Sequence, residues 1–193
     1  WIDSLSGEWK VEKSKEPMTA VACSSSAGLL PSERKDYQLS TINYQLKMIK
    51  TLISYYANPN IKDNNKQTAL MHATLTGHMD TFQLLVSDMN VNAENKGEAL
   101  IMAASLGRVE MVRMLIQNHV NINYQDSNGQ TALMHAAHNG YKKITKNLVD
   151  YGADLNIQDK KGQTALTIAK KRSRIKIIEI LQSSGEHTVK SND

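Results

Sequence analysis

Gln67-Thr68-Ala69-Leu70-Met71-His72-Ala73 returns as Gln130-Thr131-Ala132-Leu133-Met134-His135-Ala136 and again as Gln163-Thr164-Ala165-Leu166-Thr167-Ile168-Ala169. A weaker copy stands between them at Glu98-Ala99-Leu100-Ile101-Met102-Ala103-Ala104. Leu100, Leu133 and Leu166 are 33 residues apart, whereas Leu70 precedes Leu100 by 30, so the second unit is shorter. Self-similarity at a period of this length marks stacked units, each too thin to bury its own apolar face. A second recurring half completes the unit: Leu148-Val149 followed by Tyr151-Gly152-Ala153-Asp154-Leu155-Asn156-Ile157-Gln158-Asp159 matches Leu52-Ile53 and then Tyr55 to Asp63.

The local chemistry of one unit is readable. Asp126-Ser127-Asn128-Gly129 and Asp159-Lys160-Lys161-Gly162 are turn sequences that predict a hairpin-like finger. Thr131 and Thr164 stand where a first helix opens, and a threonine hydroxyl there accepts from an unpaired amide of the first turn. Ala103-Ala104 and Ala136-Ala137 are small enough to let helices approach closely. Gly77, Gly107 and Gly140 are placed to end the first helices. Val109, Val112, Leu115 and Ile116, like Ile144, Leu148 and Val149, recur at the spacing of a second helix.

This pattern resembles the ankyrin repeat. The resemblance implies an all-α solenoid of about five stacked helix-turn-helix repeats with β-hairpin-like fingers. The repeats fall at about 16–62, 63–93, 94–125, 126–158 and 159–185, with an insertion at 24–43 interrupting the first, where Ser24 to Gly28 and Pro31-Ser32 are loop formers. Residues 1–15 read as the remnant of an upstream repeat or a lead-in, and 186–193 as a flexible tail.

Composition agrees with such a domain. The 193 residues are 40% hydrophobic and 22% charged, with a mean hydropathy of −0.44. No run approaches the roughly 20 apolar residues that span a bilayer. Cys23, the single cysteine, cannot form an intramolecular disulfide, which suits a reducing, cytoplasmic setting. A net charge of +4 matters only if it is clustered. The chain opens on Trp1 and reads as a piece of a longer protein.

Candidate chemistry is sparse. His72 and His135 share a repeat position but lie two repeats apart, too far to hold one ion at about 2 Å. His135 and His138 are one helical turn apart without a carboxylate or cysteine to complete a ligand set. Cys23 has no evident general base and reads as core, as do most of the methionines. No phosphate loop, zinc-protease helix, cysteine cluster or nucleophile elbow is present, so no enzyme activity, metal or cofactor is expected.

Binding is the better expectation. By resemblance, fingers and first helices line a concave face that holds a protein partner. The candidates are Asn64, Asn65, Leu75, Thr76, Ser105, Leu106, Ser127, Asn128, His138 and Asn139, joined in the last repeat by Lys160, Lys171 and Arg172. Leu75 and Leu106 would form an exposed apolar stripe, unless either folds under its neighbour. A shortened finger near Asn95-Lys96-Gly97 would open a notch beside them. The run Lys160, Lys161, Lys170, Lys171, Arg172, Arg174 and Lys176 contains no acid. It reads as a solvated end cap or as a patch for an acidic protein, a phosphate or RNA. No aromatics interleave with it to stack bases. A third reading makes the array the targeting part of a larger enzyme or bacterial effector. The piece itself is expected to be monomeric, without membrane contact.

Val11 to Glu16, Ala22-Cys23-Ser24, an interruption containing Ser32-Glu33, Ala57-Asn58-Pro59-Asn60 and the closing Ile168-Ala169-Lys170-Lys171 resemble one family in particular, the germ-cell proteins with ankyrin, SAM and basic leucine-zipper domains (GASZ). That resemblance implies a germline scaffold for piRNA biogenesis, tethered to the outer mitochondrial membrane by a segment outside this chain. The regular repeats after the interruption outnumber those associated with that family.

Overall fold

The computed structural model describes residues 47–49, 51, 57–88 and 90–189, with side chains to Ser184. Cys23, the lead-in 1–15 and the insertion 24–43 lie outside the described residues, as does most of the first repeat. Residues 47–49 and 51 are helical.

Eight further helices follow in pairs: α1 Ala69–Thr76 and α2 Met79–Ser87, α3 Ala93–Ser105 and α4 Val109–Gln117, α5 Ala132–Asn139 and α6 Lys142–Asp150, α7 Ala165–Lys171 and α8 Ile175–Val189. Among the described residues there is no strand. First helices pack on first helices in the order α1, α3, α5, α7, and second helices stack beside them as α2, α4, α6, α8. The last helix continues to Val189, past the expected boundary at 185, so the segment from 186 begins as helix.

The repeated residues do what their chemistry suggests. Thr68, Thr131 and Thr164 each accept from the backbone N–H three residues on, at 3.4, 3.4 and 3.3 Å. Leu70, Leu100 and Leu133 are buried and their equivalent Leu166 in the last layer is partly buried, with Ala103, Ala104, Ala136, Ala137 and Ala169 wholly enclosed where first helices meet. Phe82, Val112, Leu115, Ile144, Leu148 and Ile177 fill the second-helix side of one continuous core. Each fully buried side chain of this size contributes about 1.5–3 kcal/mol.

Fingers are tight turns. In repeats two, four and five an aspartate opens the turn: Asp63, Asp126 and Asp159 each accept through Oδ1 from two backbone N–H groups further along, at 2.8 to 2.9 Å. The Lys160 N–H donates to the Asn128 carbonyl and joins the last two fingers.

Repeat three corrects the expectation of a shortened finger and a notch. Its three missing residues fall in the loop after α2, and its finger segment is wound into the start of α3. Ala93 stands where the other fingers have aspartate, so the turn lacks its acceptor. Asn92 caps the helix instead, accepting from the Asn95 N–H at 2.8 Å. The Tyr124 ring lies over Gly97 so closely that a Cβ there would sit 2.3 Å from Cγ. The space expected to be open is filled.

Candidate functional site

The outward surface of each first helix is set by its register. In repeat two it presents His72, Leu75 and Thr76, in repeat three Met102, Ser105 and Leu106, in repeat four His135, His138 and Asn139, and in repeat five Lys171 and Arg172. Leu75 and Leu106 are 44% and 41% exposed, so neither folds under its neighbour. They occupy different repeat positions, since Leu75 matches Ser105 and Leu106 matches Thr76. The apolar surface is therefore staggered rather than a straight stripe. Asn64, Asn65, Ser127 and Asn128 are exposed on the finger turns, and Thr76 and His138 on the helix ends.

Several candidates turn out to be structural. The Asn139 amide donates to the Ser105 carbonyl at 3.0 Å and stitches repeat four to repeat three. The Thr76 hydroxyl donates to the His72 carbonyl at 2.8 Å. His72 Nε2 is 2.7 Å from Asp63 Oδ2, and His135 Nε2 is 3.5 Å from Asp126 Oδ2, so each ring faces the finger aspartate of its own repeat. The hydrogen bond from His72, reinforced by the Gln67 N–H, holds the Asp63 carboxyl below its ordinary range. Asp159 is likewise lowered, chiefly by the Gln163 N–H. Among the described residues no three His, Cys, Asp or Glu side chains group as a metal site would require.

One recurring contact escaped sequence reasoning. The residue before each second helix lies on the glycine that ended the first helix of the preceding repeat: Arg108 on Gly77, Tyr141 on Gly107 and Arg174 on Gly140. The two arginines also donate to carbonyls beneath them, Arg108 to Leu75 and Arg174 to His138, each at 3.3 Å. Arg174, a member of the basic run, thus also serves as a clasp between repeats. The spacing of Arg108, Tyr141 and Arg174 was visible, but their chemical dissimilarity concealed the shared role.

The remaining cations divide. Lys161, Lys171 and Arg172 border a cleft of about 270 Å³ between α5 and α7, together with His138, Met134 and Ile168. Lys160, Lys170 and Lys176 are exposed elsewhere.

A stacked array of helix pairs, three of them entered through aspartate-opened turns, defines a helical repeat protein. The sequence matches the family described as ankyrin repeats (3 copies) over residues 38–126 and 115–193, and the chain belongs to the ankyrin-repeat family. It is similar to an ankyrin repeat domain of known crystal structure from Acinetobacter baumannii AYE, 33% identical, with a TM-score of 0.64 over 70% of this chain and 74% of that one. No curated protein sequence matches it. Domains of this family generally mediate protein–protein interactions and are typically non-catalytic.

Proposed function

We propose that the chain is a non-catalytic adaptor that holds a protein partner on its first-helix face, the side expected to be concave. The observation that carries this reading is the exposure of Leu75 and Leu106 on consecutive repeats of a rigid stacked surface, flanked by polar finger tips. Replacing both leucines with glutamate abolishes partner capture from extract while leaving the far-ultraviolet circular dichroism of the array intact. Undiminished capture by that variant refutes the site. The adaptor is monomeric and cytosolic in this reading, which sedimentation and cell fractionation test.

Its more specific form is a germline scaffold of piRNA biogenesis at the outer mitochondrial membrane. The support is the resemblance carried by Val11 to Glu16, Ala22 to Ser24, Ala57 to Asn60 and Ile168 to Lys171. Co-purification of piRNA-pathway proteins from a mitochondrial fraction of germ cells is the expected outcome, and their absence from that fraction overturns it.

A further inference from the structure

Repeats four and five differ from the preceding layers in what their first helices leave between them. The cleft between α5 and α7 is lined by two apolar side chains, Met134 and Ile168, beside the polar Gln130, His135, His138 and Gln163. Its border is cationic. Lys161 reaches it from the last finger, and Lys171 and Arg172 from the end of α7. None of the three makes an ion pair among the described residues; Asp159 faces Lys161 electrostatically, while Lys171 and Arg172 have no such acid, none occurring between Lys160 and Lys176. Like charges that outnumber their counter-charges favour an anion beside them.

Size and polarity narrow the occupant. At about 270 Å³ the cleft lies at the small end of ligand pockets, which run to roughly 300–1,000 Å³, and has room for a side chain. A side chain entering from outside meets Met134 and Ile168, which favour an apolar tip there. The backbone and neighbouring residues stay at the border, where carboxylates meet Lys171 and Arg172, and arginine can grip one through two parallel N–H donors. No Phe, Tyr or Trp lines the cleft, so the broad stacking platforms typical of single-stranded nucleic-acid sites are missing.

We propose that this cleft docks an acidic segment of a protein partner by a single leucine-sized anchor flanked by carboxylates. The proposal rests on the adaptor reading and specifies the partner's chemistry for one part of its surface.

The test uses the full chain and a fluorescein-labelled Glu-Glu-Glu-Leu-Glu-Glu-Glu peptide, read by anisotropy at physiological salt. The expected result is saturable binding. Lys171→Glu with Arg172→Glu weakens it at least tenfold, whereas Lys170→Glu with Lys176→Glu, which makes the same change in net charge away from the cleft, weakens it less than threefold. Replacing the peptide's leucine with glycine weakens it at least fivefold. Thermal melts confirm that both double variants remain folded. No binding, equal losses in the two variants, indifference to the leucine, or tighter binding of a uridine decamer than of the peptide each overturns the proposal. If the peptide fails but Leu75→Glu with Leu106→Glu still abolishes partner capture, the cleft proposal falls and the adaptor reading stands. If the peptide binds while the leucine variant captures normally, the reverse holds.

Discussion

Repeats three and four enter their first helices through segments of equal length, yet Ala93 to Gly97 is helix and Asp126 to Gln130 is a turn. The difference lies in a few side chains. Asp126 offers the turn a carboxylate oxygen for two backbone N–H groups, and Gly129 adopts the left-handed conformation, φ 75°, that closes it. Ala93 offers nothing, and Lys96 stands in place of the glycine. With Asn92 ready as a cap, winding the segment into α3 satisfies its amides in the other available way. A finger in this array is thus a local choice between two hydrogen-bonding solutions, and the packing around it adapts.

The sharpest way to break that contrast is at Gly97, which the Tyr124 ring covers. Gly97→Val is expected to cost about 3 kcal/mol by overpacking, measured by urea denaturation. Adding Tyr124→Ala should restore part of the loss, with a coupling of about 1 kcal/mol or more. Unchanged stability in the single variant would mean that the ring does not sit where the structure places it.

Acid separates the two kinds of finger. Asp63 and Asp159 have carboxyl groups lowered in the folded state, so their stabilisation is complete above the ordinary carboxylate value near 3.9 and is lost as pH falls through the folded value. The protection factors of the amides at Asn65, Gln67, Lys161 and Gln163 should therefore fall on acidification below about pH 4, while those of α3's first turn change less. Asp63→Asn with Asp159→Asn keeps the acceptors and should flatten that response.

Two smaller changes test equivalence between repeats. Thr145 is fully buried in α6 with its hydroxyl unpartnered, at the position where repeat three has Val112. Thr145→Val should stabilise by about 1 kcal/mol by removing an unsatisfied polar atom. Ser173 holds φ 55°, matching Gly140 at φ 81° one repeat earlier. Ser173→Gly should raise stability by somewhat under 1 kcal/mol, the relief of left-handed strain less the added freedom of the unfolded chain. A fall in melting temperature would contradict it.

The parts of this architecture legible in the sequence were those written within one unit: the period, the threonine caps, the paired alanines and the turn glycines. Exposure of Leu75 and Leu106 followed from helical register. The helical finger was missed because the 30-residue interval was assigned to the segment nearest the weak motif, although the residues are absent from the loop after α2. The cleft was missed because it requires Met134 and Ile168, which read as core in their own units, to meet Lys161 from a finger. Interactions between units are written in two places at once, and an unlike set such as Arg108, Tyr141 and Arg174 carries no repeating letter to reveal them.

The clasp gives the stack a direction. Each bare glycine at the end of a first helix is a seat prepared for a side chain of the unit that follows, and Ser173 is the place where that seat carries a hydroxymethyl group. An engineer lengthening the array by grafting another unit in the same geometry would have to clear that seat first, whereas a graft made after Gly140 would find it ready.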